Sequence, residues 1–324
     1  MKKVLALAVT LIMVFALTAC GSKSDQIKIG VMQFGEFTAL QDTYDGFVAG
    51  LEEAGYKDGD NIKINMLSAA ADTANCPTIA DKLIADKSNL IFAIATPSAS
   101  CLKEKTTDIP VLFSAVTDPV ASGLIKDVNA PGVNLSGTSD MNPVQEQIDL
   151  LKEMLPNAQK VAVFYCSSES NSAAQYELAK AQIEALGMEC VQKTISTIDE
   201  AKSAIESLKG QVDAIYIPTD NTISDSMKLV AAAANDCGLP TICGEPGMVE
   251  NGGTASFGID YFQLGKQTAE MAVKLLKSDK PLEEIAKMPV VYQTDKCVTA
   301  INKASVKALG LNVPSSIMDK AKTF

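Results

Sequence analysis

The chain has 324 residues, 47% hydrophobic and 21% charged, a globular composition long enough for two domains of ordinary size. It contains no histidine, arginine or tryptophan, so all 28 basic residues are lysines. That removes Ser-His-Asp and Cys-His nucleophiles, the HExxH zinc motif and the bidentate guanidinium fork, and the net charge of −11 argues against nucleic acid as a partner.

Lys2 and Lys3 precede an apolar stretch from Val4 to Ala19, a charged n-region followed by an h-region too short to favour a membrane span. The stretch closes on Leu17-Thr18-Ala19-Cys20, the lipobox pattern in which small residues admit a signal peptidase and the thiol accepts a lipid. Residues 1–19 therefore read as a lipoprotein signal peptide, Cys20 as the lipidated residue, and 20–26 as a polar tether. Cleavage removes two lysines and no acid, taking the charge from −11 to −13. Seven further cysteines remain, an odd number without CxxC spacing, so no metal site is read. Buried free thiols are the simplest reading for Cys166, Cys190 and Cys243, with a Cys237–Cys243 disulfide left open.

From residue 27 short β-rich runs alternate with helical periodicity. Strands are predicted over Ile27–Gln33, Asn61–Leu67, Leu90–Ala95 and Val111–Ala115, then over Lys160–Tyr165, Glu189–Ile195, Ala214–Ile217 and Pro240–Cys243. Helices are predicted over Asp45–Glu53, Thr78–Ala85, Val144–Leu155, Ala173–Leu186, Ile198–Leu208 and Ser224–Asn235. The alternation occurs twice and implies two α/β domains with parallel sheets. Beyond Gly253 lie a strand (Thr254–Gly258), a helix (Leu264–Lys277), a strand (Pro289–Thr294) and a short final helix, too few for a third domain. They are expected to complete the first two sheets, so that several chain crossings form a hinge. The division is 27–140 plus about 261–288 for the first domain, and 141–260 plus about 289–324 for the second.

Ligands of open parallel sheets bind beyond the carboxyl ends of the strands. Polar clusters stand at these positions: Gln33-Phe34-Gly35-Glu36, Thr96-Pro97-Ser98, Thr117-Asp118, Glu169-Ser170-Asn171-Ser172, Asp220-Asn221, Gly244-Glu245 and Asp260-Tyr261. Helix capping accounts for any one cluster taken alone. Seven on one edge of two facing domains point to a cleft. Asp58-Gly59-Asp60-Asn61 lacks EF-hand spacing and reads as a turn. With no GxGxxG, P-loop or GxSxG, and no base-nucleophile constellation, neither an enzyme nor a cofactor is read.

Ile94-Ala95-Thr96-Pro97-Ser98-Ala99, Ile109 to Val120 with its Val116-Thr117-Asp118-Pro119, Asn134 to Gly137, Glu169 to Ser172, Ile217 to Asn221 and Gly258 to Gly265 together resemble the substrate-binding lipoproteins of ABC importers of the tryptophan- and tyrosine-binding type. The resemblance runs through nearly the whole mature chain. It implies a type I periplasmic-binding-protein-like fold, two doubly wound parallel-sheet α/β domains joined by a multi-strand hinge, with the helix after Asp260 returning to the first domain. It implies a monomer on the extracytoplasmic face of the membrane, held by its lipid, that passes a small zwitterion, usually an aromatic amino acid, to a permease and its ATPase. The ligand carboxylate would meet Thr96, Ser98, Thr117, Asn171 and Ser172, and its ammonium Asp220, Asp260 or Glu169. Gln33, Phe34, Glu36, Phe37, Asp118, Asn221 and Tyr261 complete the expected site, with Phe34, Phe37 or Tyr261 enclosing a ring. One stretch departs from the family's Glu-His-Pro-Ala-Leu-Asp and reads Glu36-Phe37-Thr38-Ala39-Leu40-Gln41. Phe37 either adds a stacking surface or packs under the loop. Two alternatives stay open: a nucleoside or other heterocycle as ligand, and an adhesin or sensor without transport.

Overall fold

The computed structural model describes residues 26–292 and 297–324. The expected signal peptide, Cys20 and the expected tether up to residue 25 lie outside the described residues. The first run is β1 (Ile27–Gln33), α1 (Thr38–Glu53), β2 (Ile62–Ser68), α2 (Cys76–Ala85), β3 (Leu90–Ile94), α3 (Thr96–Lys105), β4 (Val111–Val116) and β5 (Leu135–Ser139). The second is α4 (Val144–Met154), β6 (Lys160–Cys166), α5 (Ser170–Ala185), β7 (Glu189–Ile195), α6 (Ala201–Glu206), β8 (Ala214–Ile217), α7 (Asn221–Asp225), α8 (Met227–Asp236), β9 (Thr241–Cys243), α9 (Pro246–Glu250) and β10 (Ala255–Ile259). The chain ends with α10 (Tyr261–Leu276), α11 (Pro281–Ile285), β11 (Val291–Tyr292), β12 (Cys297–Ile301), α12 (Lys303–Ala308), α13 (Ser315–Met318) and β13 (Lys322–Thr323).

Two sheets result, ordered β11-β5-β4-β3-β1-β2 and β13-β12-β10-β9-β8-β6-β7. All pairings are parallel except β10 with β12. A parallel sheet covered on both faces needs strands apolar on both sides. Leu90-Ile91-Phe92-Ala93-Ile94 of β3 is buried throughout, whereas the edge strand β7 is exposed or part-buried up to its last residue, Ile195. Phe92 stacks on Phe47 of α1, ring centroids 4.1 Å apart, inside the first core.

Helix α10 leaves the second sheet and packs on α1 in the first domain. A Cβ on Gly46 would fall 1.9 Å from the Phe262 carbonyl oxygen, and one on Gly265 2.1 Å from that of Thr43, so the two helices cross at backbone contact.

Several boundaries differ from expectation. Helix α1 starts at Thr38 rather than Asp45, because its first turns bury Ala39, Leu40 and Thr43. The helix predicted over Ser224–Asn235 is two, divided at Ser226, whose φ of −113° and ψ of 21° are not helical. Of the strand predicted over Pro289–Thr294, Val291–Tyr292 form β11, which pairs with β5 in the first sheet, while Gln293 and Thr294 lie outside the described residues. A break at 289 is therefore too early: Val290 N–H already bonds to the Val128 carbonyl, and among the described residues that follow, the first in the second sheet are those of β12. All seven cysteines beyond Cys20 are unpaired, so Cys237 and Cys243 form no disulfide.

Candidate ligand-binding cleft

The carboxyl ends of both sheets face one another across a cleft. One cavity there, of about 820 Å³, is lined by Phe34, Asp72, Thr96, Pro97 and Glu104 from the first domain and by Ser168 to Asn171, Thr197 and Thr222 from the second. A second, of about 400 Å³, lies between Glu36, Phe37 and Thr38 on one side and Ser224 to Leu229 with Asn251 on the other. Both are of a size that holds an amino acid or nucleoside.

The wall of the first domain is shaped by unusual backbone. Ala95, joining β3 to α3, has φ 81° and ψ 155°, and its side chain gives no cap to the helix. Of the first turn of α3, Pro97 has no N–H and Ala99 gives its own to the Ala95 carbonyl, so the Thr96 and Ser98 N–H groups are left without a side-chain cap, and Ser98 Oγ beside them is buried without a partner. Ala115 (φ 53°) stands where the β4–β5 register slips between Phe113 and Val116, while Ala70 and Ala71 (φ 53° and 56°) turn the chain after β2. Gln33 donates from Nε2 to the Gly35 carbonyl, which leaves Oε1 unpartnered. Thr117 is buried at the end of β4, and half-buried Asp118 accepts from the Val120 and Ala121 N–H groups.

The wall of the second domain is a closed polar lattice. Asp220 caps α7 through the Ile223 N–H (2.9 Å) and accepts from Cys166 N–H (2.7 Å) and Ser172 Oγ (2.8 Å). Glu169 takes the N–H and Nδ2 of Asn221 (2.9 and 2.7 Å) and the N–H and Oγ1 of Thr222 (both 2.7 Å). Burial first, and the Glu169 charge second, push the Asp220 carboxyl well above the usual range. Asn171 gives Nδ2 to Glu169, Ser172 and the Thr219 carbonyl, so its Oδ1 is a buried acceptor without a donor.

At the hinge the chain crossings are bolted together. Tyr261 donates to Asp140 (2.8 Å), and Asn142 links Tyr261 Oη (3.2 Å), Thr219 Oγ1 (3.3 Å) and the Ile259 N–H (3.0 Å). Burial pushes Asp140 up to about 6 and Glu245, which caps α9, up to about 7. Asp260 is half-buried and caps α10 through the Gln263 N–H. Across the mouth, Ser170 Oγ reaches Ser122 Oγ and Asn251 Nδ2 reaches Thr38 Oγ1, each at 3.4 Å.

Of the residues expected at the site, Phe34, Thr96, Glu169 and Asn171 line the larger cavity, and Glu36 and Phe37 the smaller. Gln33, Ser98, Thr117, Ser172, Asp220 and Asn221 are buried behind them. Tyr261 stands at the hinge rather than on either cavity. Asp140 and Asn142 were not anticipated: they follow β5, a strand the periodicity does not reveal, and the Tyr261 they share lies 121 and 119 residues away.

The family of ABC transporter substrate binding proteins matches residues 28–324. The chain belongs to this family. It is thus a solute-binding protein of the periplasmic-binding fold rather than an enzyme, and a leucine-binding protein and a sugar transporter subunit, each 17% identical, share that fold alone. A tyrosine-binding protein of Clostridioides difficile (strain R20291) is 39% identical over 96% of this chain and 93% of its own. A Streptococcus pneumonia ABC domain in complex with L-Trp is 36% identical, with a TM-score of 0.86 over 92% of this chain and 99% of that one. A ligand-free, open structure of a Clostridium difficile substrate-binding protein with adhesive properties is 41% identical, yet its TM-score is 0.70 over 92% and 98%. The more identical structure superposes less well, so sequence distance alone does not order these matches. In this structure the two walls touch across the mouth at Ser170–Ser122 and Thr38–Asn251.

Proposed function

We propose that the protein is the lipid-anchored extracytoplasmic receptor of an ABC importer and captures an aromatic L-amino acid by hinge closure. The observation that carries the reading is the likeness, with a TM-score of 0.86 over 92% of the chain, to a domain in complex with L-Trp. The ligand carboxylate meets the uncapped start of α3 with Thr96, Ser98 and Thr117, where helix N–H groups favour an anion. Its ammonium faces Glu169 and Asn171, and its ring packs on Phe34, with Phe37 at the neighbouring cavity. Burying such a ring contributes about 2–3 kcal/mol, enough for selectivity over small side chains. Ligand contacts with both walls are available only when the domains are closed, so binding shifts the hinge equilibrium. Residues 1–19 are removed and the lipid on Cys20 holds the receptor beside its permease and ATPase.

Thermal shift of the purified protein against the twenty amino acids and common nucleosides tests this. Tyrosine or tryptophan is expected to raise the melting temperature in proportion to the logarithm of its concentration above Kd. A nucleoside that stabilises where no amino acid does refutes the ligand class. Adhesion is a second role, favoured by the 41% identical relative described as having adhesive properties. Binding of the purified protein to host-cell surfaces, independent of added amino acid, would separate adhesion from transport.

A further inference from the structure

The charges around the larger cavity are one-sided. Among the described residues, every charged side chain that lines it is an acid: Asp72, Glu104 and Glu169. The lysines of α3 are engaged elsewhere, Lys103 with the Gly123 carbonyl and Lys105 with Asp81. The smaller cavity has one lysine, Lys228, against Glu36 and Asp225. Independently, two buried amides in or behind the walls are short of donors. Asn171 and Gln33 spend their NH2 groups on acceptors, which fixes each amide's orientation and leaves Asn171 Oδ1 and Gln33 Oε1 without a hydrogen to accept.

An ammonium supplies three donors and a positive charge; a carboxylate supplies neither. The two ends of an amino acid are therefore not held alike. The carboxylate meets neutral hydroxyls and a helix start that carries only partial charge, whereas the ammonium meets full negative charge that nothing else in the cavity neutralises. We infer that the cleft also takes decarboxylated aromatic amines, of the kind made by removing CO2 from tyrosine or tryptophan, and excludes the corresponding deaminated acids. This rests on the reading above that an aromatic amino acid enters the cleft.

The experiment is titration calorimetry of the purified protein with L-tyrosine, L-tryptophan, tyramine, tryptamine, 3-(4-hydroxyphenyl)propionate and indole-3-propionate. Each amine is expected to bind within about tenfold of its amino acid, each acid at least about a hundredfold more weakly than the amine, and the amine's affinity to fall with added salt. An acid that binds as tightly as its amine overturns the inference and leaves the amino-acid reading standing if tyrosine or tryptophan binds. Binding by none of the six overturns both.

A double variant, Asp72→Asn with Glu104→Gln, gives a second readout without touching Glu169. Asn at position 72 still caps the turn that Asp72 caps through the Ala74 N–H. Removing two acids is expected to weaken the amine about fivefold and strengthen the acid. An equal change in amine and acid overturns the inference.

Discussion

The two walls of the cleft are built on opposite plans. All five non-glycine residues with positive φ among the described residues, Ala70, Ala71, Lys87, Ala95 and Ala115, belong to the first domain, and four of them border the carboxyl ends of its strands. That wall presents backbone: bent strand ends and a helix start without a side-chain cap. Among the described residues the second wall has no such residue and presents side chains, with Glu169 and Asp220 set in hydrogen bonds from neighbouring N–H and O–H groups. A backbone wall offers donors and suits an anion; a carboxylate wall suits a cation. One molecule carrying both charges satisfies both walls at once, which is what a zwitterion requires of a closing cleft.

The comparison breaks most readily at Asp220. Replacing it with alanine strips the acceptor from the Cys166 and Ile223 N–H groups and from Ser172, all buried, and is expected to cost about 2–3 kcal/mol, since relief of the repulsion with Glu169 offsets part of the loss. Urea unfolding measures this, and calorimetry is expected to show ligand affinity reduced more than about tenfold. Asp220→Asn, still able to cap, is expected to lose less. Equal stability of the alanine variant and the wild type would mean that the second wall is not held by its carboxylates.

Acidity offers the next test. Asp140 and Glu245 are buried with carboxyls raised to about 6 and about 7 from ordinary values of 3.8 and 4.5. The folded state therefore holds protons that the unfolded chain has released. Their contribution is greatest below about pH 4 and is lost as pH rises through about 6 to 7. Urea midpoints are expected to be higher near pH 5 than near pH 8, and Glu245→Gln with Asp140→Asn to flatten the difference. A slope unchanged in that double variant would place the titration elsewhere.

The smallest effect is on the first wall. Ala95 occupies a backbone region that glycine adopts without cost, so Ala95→Gly is expected to raise stability by about 0.5–1 kcal/mol after the added flexibility of the unfolded chain is counted. Thermal and urea unfolding measure it. A destabilised variant would show that this joint stores no strain, and the contrast between the walls would then be one of side chains alone.

The strands were readable because a sheet buried on both faces writes itself as uninterrupted apolar runs, and Leu90 to Ile94 is such a run. Strand β5, Leu-Ser-Gly-Thr-Ser, was not, because its polar side chains are satisfied by partners remote in sequence: Ser136 bonds the Met288 carbonyl and Thr138 bonds Thr268. Helix α3, with Thr, Pro and three serines or cysteines among its ten residues, has too little apolar periodicity to be seen. The polar cluster at Glu169 to Ser172 was legible as a cluster, but not the division of labour within it.

What the residues alone determined is the chemistry open to this protein. With no arginine, histidine or tryptophan, a ligand's charges must be met by hydroxyls, amides, helix N–H groups and carboxylates, and its ring by Phe or Tyr. Tertiary structure alone decided which of those groups remain free to meet it. Asp220 and Glu169 are adjacent to the same α7 start and share its donors; Tyr261 is drawn off to Asp140 at the hinge; Asn171 keeps one acceptor unspent. The reason is physical: a polar group's availability depends on the donors and acceptors that folding brings within hydrogen-bond distance, and here those lie dozens to more than a hundred residues away in the chain.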